Sequence, residues 1–203
     1  GSMNLKWEVS TKTNFGIDAR FFDDKVDMTV DFFHTKTTDI FQRRANIPDE
    51  GGLSNVLPYA NIGSMKSWGM DGTLAYTHTF NKDMALTVRG NFTHAENEVI
   101  YWEQSGVNYP YQSNSGVPYK VQRGLIALGL FKDEDDIKSS PKQTFMDNYR
   151  PGDIKYKDVN GDGKLTEEDY VFLGTDDPKI SFSFNGGLEW NGFDFSVVFQ
   201  GVG

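Results

Sequence analysis

Residues 180–199 read ISFSFNGGLEWNGFDFSVVF, two alternating runs joined by Asn191 and Gly192. Apolar side chains occupy every second position on both sides of this pair, so each run places an apolar row on one face of a β-sheet. An Asn-Gly pair between alternating runs is the strongest short signal for a β-hairpin, because both residues accept the positive φ angles of a tight turn. The stretch therefore predicts an antiparallel hairpin.

Two further pairs of alternating runs have the same form. One pair lies near residues 14–32 with a turn at 23–25, and the other lies near residues 70–92 with a turn at 81–83. The sequence thus predicts an all-β chain, an antiparallel meander of about six strands. One face of the sheet is apolar, and its environment separates a membrane protein from a soluble one. The residues that decide this are Phe15, Ile17, Val30, Phe32, Leu74, Val88, Phe184, Phe195 and Val197.

The connections between the hairpins are much longer than the turns within them. A linker runs from about Ile40 to Ile62, and a longer connection occupies residues 97–179. Compact soluble domains rarely contain such loops, whereas transmembrane β-barrels pair short periplasmic turns with long extracellular loops. Alternation alone favours a soluble antiparallel sheet with one wet face. The contrast between short turns and long connections outweighs this preference and favours a transmembrane barrel over a soluble sheet. Residues 97–179 would then be an extracellular region.

Composition excludes several other classes of protein. The chain has 203 residues and a formal net charge of -9, which argues against nucleic-acid binding because phosphates require clusters of Lys and Arg. The absence of Cys excludes disulfides and thiolate metal sites. No apolar run approaches the roughly 18 residues of a transmembrane helix. A search for such runs does not detect the strands of a β-barrel, because their apolar residues alternate with polar ones.

An acidic loop within the long connection predicts a calcium site. Residues 158–169 read DVNGDGKLTEED, which matches the alternating oxygen ligands and the central glycine of a calcium loop. The last position is Asp rather than the usual Glu, and no acidic helix precedes the loop. The alternative is an Asn-Gly-Asp-Gly turn that holds no metal. The candidate ligands of a structural calcium ion are Asp158, Asn160, Asp162, the carbonyl of Lys164, and Asp169.

Other features of the long connection give candidates for ligand contact and for local structure. Residues 133–139 predict a short helix, because acidic residues begin it and Pro141 follows it. Aromatic side chains in a Gly, Ser, Asn and Pro background can stack on sugar rings or pin an irregular loop in place. These candidates are Tyr101, Trp102, Tyr109, Tyr111 and Tyr119.

Catalysis is not indicated by the sequence. The three histidines lie in strand patterns without a Ser, Cys or acidic partner at a spacing typical of a catalytic pair. Adjacent acids such as Glu167 and Glu168 point apart, and no glycine-rich phosphate loop occurs. We therefore do not expect an enzyme.

The chain resembles the SusC/RagA-like TonB-dependent outer-membrane transporters of Bacteroidetes, and motifs along most of its length carry the resemblance. They are NLKWE at 4–8, TNFGID at 13–18, NIGSM at 61–65, PGDIKY at 151–156, Gly174, DPK at 177–179, GFD at 192–194 and FQG at 199–201. The stretch 105–143 resembles the family less closely, as expected for a loop that faces ligand.

The resemblance implies a large barrel closed by a plug, which imports oligosaccharides or peptides using energy transmitted by TonB. It also implies a SusD-like surface lipoprotein that acts as a lid. Residues 1–3 resemble a tag remnant, and we expect 4–203 to be an excised part of the barrel. Both edges of such a sheet lack partners, so copies of the isolated piece are expected to associate through them. The alternative function is a soluble extracellular β-sandwich module that binds carbohydrate and contains a structural calcium loop.

Overall fold

The computed structural model of the chain describes residues 5–45 and 58–203. The expected tag remnant at 1–3 and most of the predicted linker lie outside these residues. Twelve strands and one α-helix occur in the described part. Their bounds are β1 (Val9–Phe21), β2 (Val26–Arg43), β3 (Tyr59–Asn81), β4 (Met84–Tyr101), β5 (Val121–Gly124), β6 (Ala127–Leu130), α1 (Glu134–Lys138), β7 (Lys142–Gln143), β8 (Ile154–Tyr156), β9 (Lys164–Leu165), β10 (Val171–Thr175), β11 (Ile180–Trp190) and β12 (Phe193–Val202).

Six long strands form one sheet in the order β1-β2-β3-β4-β11-β12, and every neighbouring pair is antiparallel. The predicted meander of six strands is confirmed. No helix in the described part is long and apolar enough to cross a membrane.

The hairpin turns occur where the sequence predicts them. Asn191 and Gly192 have φ angles of 48° and 84°, which is the left-handed pair of a type I′ turn. The β1–β2 turn begins at Phe22, one residue before the predicted turn, because Phe22 already has a φ of 58°. The β3–β4 turn is shorter than predicted, since Asn81 remains in its strand.

The predicted linker at 40–62 is wrong at both of its ends. β2 continues to Arg43, and β3 begins at Tyr59 and runs for 23 residues. Both faces of these extensions carry polar residues, and the pairing shifts register between Thr37 and Ile40 and between Ile40 and Phe41. The alternation that marks a half-buried strand therefore disappears there, although the two strands remain paired. Hydrophobic periodicity reports which strand segments meet an apolar medium, not how far the strand extends.

The register places the apolar rows of all six strands on one face. Phe15 lies opposite Phe32, and Phe32 lies opposite Met70 on the next strand. Directly opposed residues share a face, so the rows join into one continuous band. Side chains in the band are exposed, with Phe184 at 46% and Phe195 at 68%. No second sheet of the described residues covers them, so the architecture is that of a barrel wall rather than a β-sandwich.

The opposite face of the sheet is polar. Thr73 donates from its hydroxyl to Oδ1 of Asn91 at 2.9 Å, and Nδ2 of Asn91 donates to Oγ of Ser183 at 2.9 Å. These bonds cross β3, β4 and β11 in a single row. A polar face of this kind suits a water-filled lumen.

The long connection between β4 and β11 folds into its own small layer. Three two-stranded sheets, β5 with β10, β6 with β8, and β7 with β9, surround the most deeply buried side chains of the described chain. Leu165, Gln143 and Asp169 are each at most 1% exposed. The predicted helix is confirmed as α1, with Asp133 as its N-cap accepting a bond from the Asp136 amide.

Candidate functional site

The loop layer is attached to the end of β4 that lies away from the tight turns. The amide of Val99 donates to the carbonyl of Val117 at 2.9 Å, and the amide of Gly116 donates back to Val99 at 2.7 Å. The amide of Tyr119 also donates to Oδ1 of Asn97 at 2.7 Å. These bonds hold the loops against the outer rim of the sheet.

The acidic loop is held in shape by its own side-chain oxygens. Oδ1 of Asp158 accepts from the Gly161 amide at 2.7 Å, and Oδ2 accepts from the Gly163 amide at 2.9 Å. The φ angles of these glycines, 77° and 81°, lie in the left-handed region that favours glycine. Glycine is therefore favoured at the sixth loop position, Gly163, because the backbone there has a positive φ angle.

The next two candidate ligands continue the same pattern. Oδ1 of Asn160 accepts from the Asp162 amide at 3.0 Å, and Oδ1 of Asp162 accepts from the Lys164 amide at 2.8 Å. Each side chain therefore turns its oxygen towards the interior of the loop. Lys164 itself begins β9, which fixes where the loop ends in the small sheet.

Asp169 closes the acidic loop from its far end. The carboxylate is completely buried and accepts from the amides of Val159 at 2.8 Å and Thr166 at 2.9 Å. No Lys or Arg of the described chain forms an ion pair with Asp169. A buried carboxylate whose charge meets only amide dipoles is costly, and a bound cation offsets that cost.

The ligand types of the loop suit calcium, since they are carboxylate, amide and carbonyl oxygens only. Within the described residues, however, no group of three or more His, Cys, Asp or Glu side chains converges into a metal centre. The loop oxygens accept backbone N–H groups in this arrangement, and each carboxylate oxygen has a further lone pair for an ion. The calcium site therefore stays a prediction.

The aromatic candidates separate into two pairs and one single residue. Tyr109 and Tyr111 stack with ring centroids 5.3 Å apart and planes inclined by 7°. Trp102 and Tyr119 approach at 6.3 Å in a tilted arrangement. Tyr101 stands apart, exposed at the end of β4.

The first pair is joined to the acidic loop. The hydroxyl of Tyr111 donates to the carbonyl of Glu168 at 2.9 Å, and Nε2 of Gln112 donates to the same carbonyl at 3.2 Å. Asn108 reaches the Glu168 carboxylate at 3.0 Å. Burial, together with Tyr109 and the nearby acids, raises the pKa of Tyr111. The segment that carries Tyr111 is thus a structural partner of the candidate calcium loop.

The second pair lines a cleft. Trp102, Tyr119 and Pro118 form its apolar wall, and Asn114 and Arg123 contribute polar groups to a volume of about 390 Å³. An aromatic wall with a few polar groups is the usual composition of a binding site for a sugar or a peptide. Of the five aromatic candidates, Trp102 and Tyr119 therefore have the surroundings best suited to ligand contact.

Sequence reasoning missed the residues that hold these loops together. The guanidinium of Arg123 donates to the carbonyls of Tyr111 at 2.8 Å and Ser113 at 2.6 Å. Nε of Arg44 contacts Glu103 at 2.8 Å, and this hydrogen bond raises the pKa of the arginine. Arg44 and Glu103 are separated by 59 residues, so no local pattern joins them.

His94 also has an acidic neighbour, Glu96, which the strand pattern in the sequence did not reveal. Nε2 of His94 lies 3.5 Å from Oε1 of Glu96, which also receives Lys179 at 3.3 Å. The three groups lie on the outer face near the rim.

Comparisons with known proteins agree with this architecture. The sequence model of the family described as "TonB dependent receptor-like, beta-barrel" matches residues 1–201. The chain is 30% identical over 235 residues to TonB-dependent receptor P39 of Formosa agariphila, covering 98% of this chain and 22% of that receptor. It is 24% identical over 203 residues to the TonB-dependent receptor SusC of Bacteroides thetaiotaomicron, covering 95% of this chain and 19% of SusC.

A solved structure shares the fold. The RagAB peptide importer in its open-open state superimposes with a TM-score of 0.73 at 21% identity, over 100% of this chain and 21% of the RagAB chain. The chain therefore spans about a fifth of the length of the curated relatives that it matches. The resemblance to SusC/RagA-like transporters is confirmed, and the chain belongs to the TonB-dependent receptor-like β-barrel family.

Proposed function

We propose that this chain forms part of the wall and outer rim of an outer-membrane importer of large nutrients. The observation that carries the proposal is the division of the six-stranded sheet into an exposed apolar band and a polar face crossed by the Thr73–Asn91–Ser183 row. A sheet with lipid on one side and water on the other favours both faces at once, and within the described residues no second layer covers the apolar band. The remaining strands of the barrel would pair with the free edges of β1 and β12.

The cargo belongs to the class of oligosaccharides or peptides, and the import step uses energy from the TonB complex. The peptide alternative within this class is supported by one matched structure, which is a peptide importer. The cleft between Trp102 and Tyr119 supports the class as well, because flat aromatic side chains stack on sugar rings and on peptide side chains. Tyr101, Tyr109 and Tyr111 remain secondary candidates for ligand contact. This function is not enzymatic.

A SusD-like surface lipoprotein is the proposed partner at the outer rim. The loop layer exposes large apolar side chains, with Leu128 57% exposed, Leu130 60% exposed and Leu173 56% exposed. Exposed apolar groups in a water-facing layer favour contact with another protein. The long loops that carry these residues lie opposite the tight turns, where a lid would sit.

We also infer that the acidic loop at 158–169 binds a structural calcium ion. Its candidate ligands are Asp158, Asn160, Asp162, Asp169 and the carbonyl of Lys164. The support is the chemistry of the oxygen donors together with the buried charge of Asp169, which has no cationic side chain beside it. The ion would fix the loop that also anchors the segment carrying Tyr111.

The proposed import is tested in cells that carry the full-length receptor. Labelled pools of oligosaccharides and of peptides are offered to wild-type cells, to receptor-deletion cells and to cells without TonB. We expect one pool to enter only when receptor and TonB are both present. Equal entry of both pools in all three strains would contradict the proposal. A Trp102→Ala and Tyr119→Ala double variant should reduce entry more than Tyr101→Ala does, because Tyr101 lies outside the cleft.

A further inference from the structure

The apolar band on the outer face of the sheet has a definite height. On β3 it extends from Phe80 at the turn end to Met70, with Leu74 and Tyr76 between them on the same face. Ten residue steps of about 3.4 Å, tilted by about 45°, cover roughly 24 Å, which matches the apolar band of an outer-membrane barrel. Residues beyond Met70 on this face therefore lie at the level of the lipid headgroups.

Two rows of side chains follow the band at this level on β1, β2 and β3. The register puts Thr13 opposite His34 and His34 opposite Trp68. One step farther out, the same register defines a second row. It consists of Thr11, Lys36 and Lys66.

All six positions in these rows carry a hydrogen-bond donor or a cation, and none carries an acid. Trp68 is also an aromatic residue at the boundary, where its indole can meet both apolar chains and water. The zone defined by Thr11, Thr13, His34, Lys36, Lys66 and Trp68 is called the donor zone below.

The charges of the donor zone leave one lysine without compensation. Nζ of Lys66 lies 3.1 Å from Oε2 of Glu98 and 5.4 Å from the centre of the Trp68 ring. Lys36 is exposed, lies directly opposite Lys66, and forms no ion pair with any described residue. Like charges placed directly opposite each other on a sheet repel, and an anion placed between them relieves that repulsion.

The acids at this level begin only on the next strand, and each already contacts a cation. Glu98 pairs with Lys66, and Glu96 pairs with Lys179 at 3.3 Å. In the two rows of the donor zone, the positions beside Lys36 on β1 and β2 carry the hydrogen-bond donors Thr11, Thr13 and His34 and no acid. An anion meets no unpaired carboxylate there.

We propose that the donor zone binds the phosphate of a phosphorylated lipid headgroup in the outer leaflet of the membrane. Lys36 and Lys66 would supply the charge, and Thr11 would supply a hydroxyl donor on the neighbouring strand. A lipid is favoured over free phosphate because the apolar band starts directly below the zone and takes up the acyl chains. The inference rests on the proposed membrane location of the sheet but not on the identity of the cargo.

The test measures lipid binding to the full-length receptor in a neutral detergent by native mass spectrometry. The probes are dioleoylphosphatidic acid and dioleoylglycerol, which differ only in the phosphate, and inorganic phosphate alone. We expect the phosphatidic acid to bind best, and a Lys36→Gln and Lys66→Gln double variant to bind it at least about fivefold more weakly. Inorganic phosphate alone should bind far more weakly than the lipid.

Lys12→Gln is the matched control, because Lys12 is an exposed lysine on the same stretch of β1 and lies opposite Thr35 on the polar face. It should bind phosphatidic acid like the wild type. Equal binding of both lipids, or unchanged binding in the double variant, would overturn the inference. Import by the same double variant is measured separately, so that loss of lipid binding with intact import separates this inference from the proposed function.

Discussion

The hydroxyl of Tyr111 donates a hydrogen bond of 2.9 Å to the main-chain carbonyl of Glu168, and so joins two loops that are 57 residues apart in sequence. Glu168 directly precedes Asp169, the buried carboxylate that closes the acidic loop. We therefore expect a change that orders the acidic loop to act on the aromatic segment at 109–112 through this hydrogen bond. A structural ion in this position would shape the outer rim, although it contacts no cargo itself.

Replacing Tyr111 by Phe should loosen the aromatic segment without altering the barrel. The change removes one hydrogen bond, worth about 1 kcal/mol, and leaves a carbonyl that Gln112 still partly satisfies. Amide hydrogen exchange of residues 108–114 in the full-length protein is expected to rise about fivefold. Tyr109→Phe is the control, because its ring stacks in the same pair while the Glu168 carbonyl keeps its bond. Equal exchange in both variants would argue against the link.

Calcium at millimolar concentration should raise the thermal midpoint of the loop layer and protect residues 158–169 from hydrogen exchange. A ligand present at about 100 times its dissociation constant stabilises by about 2.7 kcal/mol. Asp158→Ala combined with Asp162→Ala should abolish the shift, whereas Asp147→Ala, an exposed acid outside the loop, should retain it. If chelator leaves the wild-type midpoint and exchange unchanged, the loop holds no calcium.

Adding calcium to the Tyr111→Phe variant tests the coupling between the acidic loop and the aromatic segment. In Tyr111→Phe protein, calcium should still protect residues 158–169 but should lose much of its effect on residues 108–114. This result would distinguish transmission through the Tyr111 hydroxyl from a general stiffening of the layer. Full protection of both segments in this variant would locate the coupling elsewhere, for example at Asn108.

The contact between α1 and β8 should weaken in acid. Nζ of Lys155 donates to Oδ1 of Asp136 at 2.7 Å, and this bond, with the Lys132 amide, holds the pKa of Asp136 below its usual range. The carboxylate therefore stabilises the contact above the ordinary Asp pKa of about 3.9, and the contribution is lost as the pH falls through the lowered pKa.

The measurement is sensitivity of residues 131–156 to an acid-active protease, from pH 7 down through the ordinary Asp pKa of about 3.9 to below the lowered pKa of Asp136. Asp136→Asn should make this segment sensitive already at pH 7 and remove the pH dependence below the ordinary Asp pKa. Asp135→Asn is the control, because Asp135 lies in the same helix but is 91% exposed and pairs only with Lys138. A pH profile that is the same in wild type and Asp136→Asn would show that another group controls the segment.

The sequence predicts the sheet because strands that meet an apolar medium on one side must alternate. Phe184 and the other alternating apolar residues of β11 show which face of the strand is apolar, and Asn191 with Gly192 marks the turn. The extension of β2 beyond Phe32 escaped prediction because His34 and Lys36 are polar residues on the face of the apolar band, while Thr35 is polar on the opposite face. Local pattern carries no signal where the environment on the two faces is alike.

The loop layer was predictable only where a local motif determined its geometry. The turn at 158–163 follows from glycines at left-handed φ angles, and α1 follows from its N-cap Asp133. The contacts of Arg123 with the aromatic segment, and of Arg44 with Glu103, join residues far apart in sequence. Such contacts depend on how the loops pack, which a single sequence does not encode in any short pattern.

The orientation of the sheet predicts opposite outcomes for two adjacent residues of β12. Val197 lies opposite Gly186 in the middle of the apolar band, and Ser196 lies opposite Gly187 on the polar face. An arginine facing lipid at the bilayer midplane costs about 2–4 kcal/mol, whereas a lumen-facing arginine remains hydrated. Denaturant unfolding of the full-length protein in lipid vesicles should therefore show strong destabilisation for Val197→Arg and little for Ser196→Arg. A larger loss for Ser196→Arg would mean that the polar face meets the lipid, and the lumen assignment would then be inverted.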